Sequence, residues 1–260
     1  MESKDQTAIE IEFLGTGTST GVPVLACQCP VCRSADQRDK RMRTSALIRT
    51  QGKTLLIDCG PDFRMQMLRA SDYHIDAMIA THVHYDHVGG VDDLRPYCYR
   101  PGHFPLYARE EVLHDLRMKM PYSFGKNPYP GAPQFAEHVV GDEPFLCEGV
   151  MVTPLPVWHG KMLINGYRIG DLAYITDAKS IDESTFLLLK GVRLLVINGL
   201  RFTEHNTHFS IDQALEVIRR VEPEQAYITH MSHEAGLHAE TDSRLPDGVN
   251  LAYDGLVVRI

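Results

Sequence analysis

No run of about 18 apolar residues occurs in the 260-residue chain, so no transmembrane helix is expected. A long basic run is also missing, as is any patch in which basic and aromatic residues interleave. Acidic residues outnumber basic ones 34 to 26, for a net charge of −8. Affinity for nucleic acid rests largely on neutralising phosphates, so strong nucleic-acid binding is not expected. The small cluster Arg38, Lys40, Arg41 and Arg43 reads as a solvated face. The segment Met1–Gln6 is charged and lacks a hydrophobic signal core, which points to the cytoplasm. Cysteine is scarce, at six residues, and in a reducing compartment closely spaced thiols read as metal ligands before disulfides. There is no low-complexity linker and no internal repeat, and 43% apolar residues can supply a full core, so residues 1–260 read as one domain.

Histidine is what the chain does have in concentrated form. Thr81-His82-Val83-His84-Tyr85-Asp86-His87 places three histidines and an aspartate within six positions. The mostly apolar run Ile75–Ala80 before it reads as a buried strand. In a short loop after that strand, alternate side chains point one way, so His82 and His84 can ligate one ion. Asp86 and His87, one turn later, can ligate a second. Imidazole and carboxylate ligands suit Zn²⁺, Mn²⁺ or Fe. Two such ions roughly 3.5–4 Å apart can clamp the attacking and leaving oxygens of a hydrolysis.

Cys27-Gln28-Cys29-Pro30-Val31-Cys32 is a second constellation. Thiolates at this spacing can wrap one tetrahedral Zn²⁺ if a fourth ligand is found, and His233 is a candidate. A reduced thiol cluster and a redox switch are the alternatives. Cys59, Cys98 and Cys147 are scattered and read as structural.

The H-x-H-x-D-H pattern resembles that of the metallo-β-lactamase-fold hydrolases. The resemblance implies further ligands after later strands. His159, following Val150–Trp158, would join His82 and His84. Asp177, following Leu172–Thr176, would bridge both metals. His230, following Ala226–Thr229, would join Asp86 and His87. Asp58, after Leu55–Ile57, would support the ligands from behind. The early C-x-C-x-x-C, the late Thr229-His230-Met231-Ser232-His233 and the turn Gly15-Thr16-Gly17 are similar to the PhnP phosphodiesterase branch. That branch implies a structural zinc on Cys27, Cys29, Cys32 and His233. It also implies a histidine over the metals, for which His208 is the nearest positional match and His205 a weaker one. His74, His103, His114, His138 and His238 match nothing and read as surface or packing residues.

Apolar alternation predicts strands near 8–14, 45–50, 54–58, 77–81, 104–107, 150–156, 166–169, 172–176, 194–198, 226–229 and 250–259. Helical patterns lie near 61–70, 90–97, 109–119, 181–189 and 211–221. Met118–Gly141, dense in proline, glycine and aromatics, reads as an irregular loop. The pattern fits an α/β protein with two mixed sheets face to face, and the resemblance names it an αββα sandwich.

The implied function is hydrolysis of a small or cyclic phosphodiester by a metal-bridging hydroxide. Asp86 and Asp177 would orient that hydroxide, and His208 would stabilise charge or assist the leaving group. Two divalent ions, Mn²⁺ or Zn²⁺ with Fe as an option, and one structural Zn²⁺ are the expected cofactors. A homodimer is a further option. The alternatives are a tRNA 3′-endonuclease, a thioesterase, lactonase or β-lactamase of the same fold, and a metal-binding protein without turnover. The missing basic arm argues against the endonuclease.

Overall fold

The computed structural model describes residues 8–99, 103–125, 129 and 131–260. Met1–Gln6, and Pro128 and Pro130 of the proline-dense stretch, lie outside the described residues. The strands in chain order are β1 (Glu10–Gly15), β2 (Ser45–Thr50), β3 (Lys53–Ile57), β4 (Ala77–Ile79), β5 (Phe104–Ala108), β6 (Phe135–Val139) and β7 (Phe145–Cys147). There follow β8 (Val150–His159), β9 (Met162–Ile169), β10 (Leu172–Ile175), β11 (Leu194–Asn198), β12 (Gln225–Thr229), β13 (Val249–Leu251) and β14 (Val257–Arg259). They form two seven-stranded sheets, ordered β14-β1-β2-β3-β4-β5-β6 and β13-β12-β11-β10-β9-β8-β7. Both are mixed. β3 to β6 run parallel in the first, and β10 to β13 run parallel in the second.

The layering follows from strand alternation, because successive side chains face opposite sides of a sheet. On β3, Leu55 and Ile57 join the core between the sheets while Leu56 faces the outer helices. On β11, Leu194 and Val196 point inward and Leu195 and Ile197 outward. The inner layer holds Ile11, Phe13, Ile48, Tyr167 and Tyr174. The outer layers pack under helices, so the order is αββα, as the family resemblance implies.

The helix Ile211–Val221 shows why an outer helix forms where it does. Ser210 Oγ accepts from the Gln213 backbone N–H, and Gln213 Oε1 accepts from the Ser210 N–H, a reciprocal capping box. Ile211, Ala214, Val217 and Ile218 recur on one face and are buried against the second sheet. Burial of a side chain the size of Ile218 contributes about 1.5–3 kcal/mol.

Three expectations are corrected. Met118–Gly141 is not wholly irregular: it contains a helical turn at Pro121–Phe124 and strand β6, whose neighbour β5 satisfies its backbone. The last predicted strand is two, β13 and β14, on different sheets. Arg41 is buried rather than solvated. Its guanidinium donates to Thr16 Oγ1 at 2.8 Å and to the Ala252 carbonyl at 2.6 Å.

Candidate metal centre

The site lies at the C-terminal ends of strands, where an α/β sheet leaves its loops free to converge. β4 ends at Ile79, and the next loop carries His82 and His84 into a one-turn helix, Tyr85–Val88, that holds Asp86 and His87. This turn is pressed against the loop after β3. Cys59 N–H donates to the His87 carbonyl at 2.7 Å, and Gly90 N–H to the Cys59 carbonyl at 2.8 Å. Glycine is required there: a Cβ on Gly60 would lie 2.1 Å from the Asp86 carbonyl oxygen, and one on Gly90 would lie 2.0 Å from that of Gly60. The loop is tied to the second sheet by Tyr167, whose hydroxyl donates to the Ala80 carbonyl at 2.7 Å.

His82, His84 and His159 bring one nitrogen each within 4.8 Å of one another. His159 ends β8, and its Nδ1 faces the carbonyls of Asp177 at 2.7 Å and Thr207 at 2.9 Å. Carbonyls only accept, so Nδ1 carries the hydrogen and Nε2 keeps its lone pair for the cluster. Burial pushes the proton affinity of His82 and His84 down, which favours the neutral ring that binds metal.

Asp86, His87, Asp177 and His230 form the second cluster, all buried. His87 Nε2 is 3.3 Å from Asp86 Oδ2 and 3.2 Å from Asp177 Oδ2. His230 Nε2 is 3.1 Å from Asp177 Oδ1 and 3.6 Å from Asp86 Oδ2. Asp58, fully buried, sits behind. It accepts from Thr81 N–H at 2.8 Å, Thr81 Oγ1 at 2.8 Å and His87 Nδ1 at 2.6 Å. The last bond holds the His87 hydrogen on Nδ1 and leaves Nε2 open to the cluster. Burial opposes charge on Asp177 and Asp86, but the neighbouring histidines offset it and hold both carboxyls below the usual range. Burial likewise opposes charge on His87, yet Asp177 and Asp58 raise its proton affinity. Carboxylates that would favour a proton there favour a metal cation for the same reason.

Asp58, Asp177 and His230 each follow a strand and each takes a left-handed backbone, with φ of 60°, 58° and 57°. That conformation costs a non-glycine residue about 1–2 kcal/mol. It turns the chain sharply at the strand end and aims the side chain at the centre. Asp177 also belongs to a third grouping, with His159 and His208. It therefore lies within reach of both metal clusters. His208 Nε2 is 3.0 Å from Asp177 Oδ1, and Thr176 Oγ1 donates to Asp177 Oδ2 at 2.6 Å.

The orphan atoms fit a metal pair. Among the described residues, His82 Nε2 is buried without a hydrogen-bond partner, and His87 Nε2 and His230 Nε2, though beside the Asp86 and Asp177 carboxylates, make no well-directed hydrogen bond to them. A buried polar atom left unsatisfied costs about 1–3 kcal/mol, and a cation at each focus would remove that cost. The thiol cluster fits as well. His233 Nδ1 lies 3.3 Å from Cys27 Sγ, 3.3 Å from Cys29 Sγ and 3.5 Å from Cys32 Sγ. A tetrahedral zinc with ordinary bond lengths sets such an edge at roughly 3.6 Å. The Cys32 backbone N–H holds the Cys29 thiol down to about 6, while burial pushes Cys32 up to about 11.

The structure thus brings together His82, His84, His159, Asp86, His87, Asp177 and His230, with Asp58 behind and His208 above. Cys27, Cys29, Cys32 and His233 form a separate group. Two supporting hydroxyls, Thr81 and Thr176, were not singled out from the sequence. The available signal was a threonine directly before a ligand, at Thr81-His82 and Thr176-Asp177.

A profile described as the β-lactamase superfamily domain matches residues 53–231. A solved structure titled as a new diphosphatase from the PhnP family superposes with a TM-score of 0.92 at 38% identity, covering 98% of each chain. The chain belongs to the β-lactamase superfamily, in its PhnP family. A Porphyromonas gingivalis protein named octanoyltransferase is 47% identical over 247 residues, which are 94% of this chain and 50% of that protein. This chain therefore spans half the length of that relative. Zn²⁺-bound PqqB from Methylobacterium extorquens shares the fold, with a TM-score of 0.74 at 20% identity over 96% of this chain and 99% of its own. Among the described residues, no helix is long and apolar enough to cross a membrane.

Proposed function

We propose that this protein is a metal-dependent hydrolase that cleaves small or cyclic phosphodiesters. The observation that carries the reading is Asp177. Its carboxylate faces His87 and His230 on one cluster and is grouped with His159 and His208 on the other. Two divalent ions, Zn²⁺ or Mn²⁺, held by His82, His84 and His159 and by Asp86, His87 and His230, would supply activated water and neutralise phosphoryl charge. The chain's own residues do the rest. Asp86 and Asp177 accept hydrogen bonds from the attacking water and fix its direction. His208 presents Nε2 to the leaving oxygen. Burial holds the free ring down to about 4, and the charge of a bound phosphoryl group favours the protonated form that can donate. Cys27, Cys29, Cys32 and His233 would hold a zinc closed to substrate, pinning the N-terminal loop beside His230.

A diphosphate linkage is the second reading, supported by the diphosphatase title of the 38% identical structure. Both reactions displace an oxygen from phosphorus in line. Octanoyl transfer, by contrast, moves an acyl group while excluding water. We place it in the half of the Porphyromonas gingivalis protein that this chain does not span.

The test is turnover of bis(p-nitrophenyl) phosphate, cyclic and linear diesters, nucleoside diphosphates, octanoyl thioesters and lactones, with Zn²⁺ and Mn²⁺ in turn. Metal-dependent cleavage of diesters above thioesters and lactones is expected. Preferential cleavage of an acyl substrate would overturn the reading. His208→Ala should keep its metals and lose about 10²–10⁴-fold in turnover of a diester with a poor leaving group.

A further inference from the structure

β1 is antiparallel to β2 and β2 to β3, so β1 runs the same way as β3 and β4. Its C-terminal turn, residues 15–19, therefore opens on the sheet edge that carries Asp58, His82 and His84. The start of β2 lies on that edge too, and Arg43 stands just before it. Gly17 N–H donates to the Met42 carbonyl at 2.8 Å, and Thr44 N–H to the Gly17 carbonyl at 3.0 Å. The same turn is bonded to the residue after His230. Thr18 N–H donates to the Met231 carbonyl at 3.0 Å, and Met231 N–H to the Thr16 carbonyl at 2.9 Å. The Cβ that would meet the Asp86 carbonyl from Gly60 would also lie 3.7 Å from Arg43 Cβ. Arg43 thus stands beside the loops that carry Asp86 and His230. Its guanidinium is held from two sides. Nε donates to the Ser19 carbonyl at 3.2 Å and Nη1 to Asp62 Oδ1 at 2.8 Å, while the Arg43 backbone N–H donates to Asp62 Oδ2 at 2.9 Å. Nη2 has no hydrogen-bond partner among the described residues, and the side chain is 30% exposed. Lys179 and Arg201, on the loops after β10 and β11, are by contrast matched to Glu204 and Glu234.

We infer that Arg43 is a specificity-determining residue: its free Nη2 binds a second phosphoryl group, carried by the part of the substrate beyond the scissile bond. Bracing the turn occupies Nε and Nη1 and leaves the third nitrogen over. That nitrogen keeps two hydrogens and a share of a charge that arginine does not lose. Such a donor pairs with phosphoryl oxygens through short, charge-assisted hydrogen bonds. The Ser19 carbonyl and the Asp62 carboxylate already fix the planar fork, so little side-chain freedom is lost when the anion binds. Arg43 is not among the metal-ligating groups, so it acts on which substrate is held rather than on the bond that breaks. The substrate class is a diester or diphosphate whose remaining half carries its own phosphoryl charge. A neutral arm gains nothing from Arg43.

The turnover part of the test rests on the phosphodiesterase reading; the binding part does not. The probes are matched p-nitrophenyl alkyl phosphodiesters whose alkyl arm, in a series of lengths, ends in a methyl group or in a phosphate monoester. In the parent, the best charged arm should lower KM about 10–100-fold against its neutral match, the range of one hydrogen bond to a charged group. Arg43→Gln should cut that gain to within about threefold. It should leave KM for the neutral arm within about twofold and metal content unchanged. Arg43→Lys keeps the charge, loses the fork and should fall between the two. Lys161→Gln, which removes an exposed cation from the β8–β9 turn, should keep the full gain. Calorimetric titration of the metal-loaded protein with ethyl phosphate and with alkane bisphosphates should show the same preference without turnover. The inference is overturned if the parent gains nothing from a charged arm of any length, or if Arg43→Gln keeps the gain. It is also overturned if Lys161→Gln loses as much, which assigns the preference to overall charge. An equal rise in KM for both arms with a lowered thermal midpoint in Arg43→Gln overturns it as well, since that is the result of bracing alone. Should the parent cleave neither kind of diester, the functional reading falls by itself, and the titrations still decide what Arg43 binds.

Discussion

Asp58→Asn probes the hydrogen bond that Asp58 makes to His87 in the second metal cluster. Asp58 is fully buried and accepts three times, from Thr81 N–H, Thr81 Oγ1 and His87 Nδ1. Asparagine matches the volume and tolerates the left-handed backbone that Asp58 adopts at φ 60°. Alanine is the poorer probe. It strands three buried donors at about 1–3 kcal/mol each, a sum comparable with a whole domain's stability of about 5–15 kcal/mol. In the asparagine variant the Thr81 amide, which can only donate, selects the side-chain oxygen. The NH₂ group then takes the place of Oδ2, where it faces both His87 Nδ1 and Thr81 Oγ1 and donates to each. His87 must move its hydrogen to Nε2, the nitrogen that faces Asp86 and Asp177. Metal and hydrogen compete for that lone pair, so affinity at the Asp86–His87–His230 cluster should fall about 10–100-fold. At about 1.4 kcal/mol per tenfold, this is a loss of about 1.4–2.8 kcal/mol. Calorimetric titration of metal into the apoprotein should show one weakened site, one unchanged site and an unaffected thiol-bound zinc. Turnover should be low at limiting metal and recover with excess. Wild-type affinity at every site in the folded variant would refute the assigned role of the Asp58–His87 bond.

Asp177→Ala should release the catalytic metals and nearly all turnover while the far-ultraviolet circular dichroism stays native; two tightly bound ions with normal turnover would contradict the shared-carboxylate reading. Cys29→Ser should lower thermal stability and remove one equivalent of zinc, measured by elemental analysis; unchanged zinc would dismiss the thiol site. Stability should fall as pH drops from about 6.5 toward 4, partly through His238. Burial and Arg41, whose Nη2 is 3.1 Å away, hold its ring down to about 4, with Arg38, Asp39 and Asp242 nearby. The unfolded chain therefore binds that proton first, and its contribution is complete above the unfolded value. Urea denaturation at pH 7, 6 and 5 should show a shallower decline for His238→Asn, and an identical slope would assign the effect to other groups.

The sequence by itself determined the features that depend on near neighbours. Thr81–His87 reads as a ligand loop because strand alternation and a single helical turn set where four side chains point. Leu55-Leu56-Ile57 and Leu194–Ile197 read as strands because apolar residues there face two cores. The helical pattern at 211–221 reads from the spacing of its apolar residues in the same way. His159, Asp177 and His230 were reachable only through the family resemblance, since nothing local separates them from ordinary polar residues at strand ends. What the tertiary structure alone decided depends on contacts distant in sequence. The imidazole of His233 meets three thiols from a segment about 200 positions earlier, 206 in the case of Cys27. Arg41 reads as surface by composition, yet it is buried because Thr16 and Ala252, from opposite ends of the chain, satisfy its hydrogens. β6 is hidden in a proline-rich stretch because its stability comes from pairing with β5 rather than from its own alternation. His205 is only three residues from His208, but the spacing does not reveal that their rings meet. Which nitrogen of His205 faces which nitrogen of His208 is set by the fold of the loop, through the Thr207 amide between them.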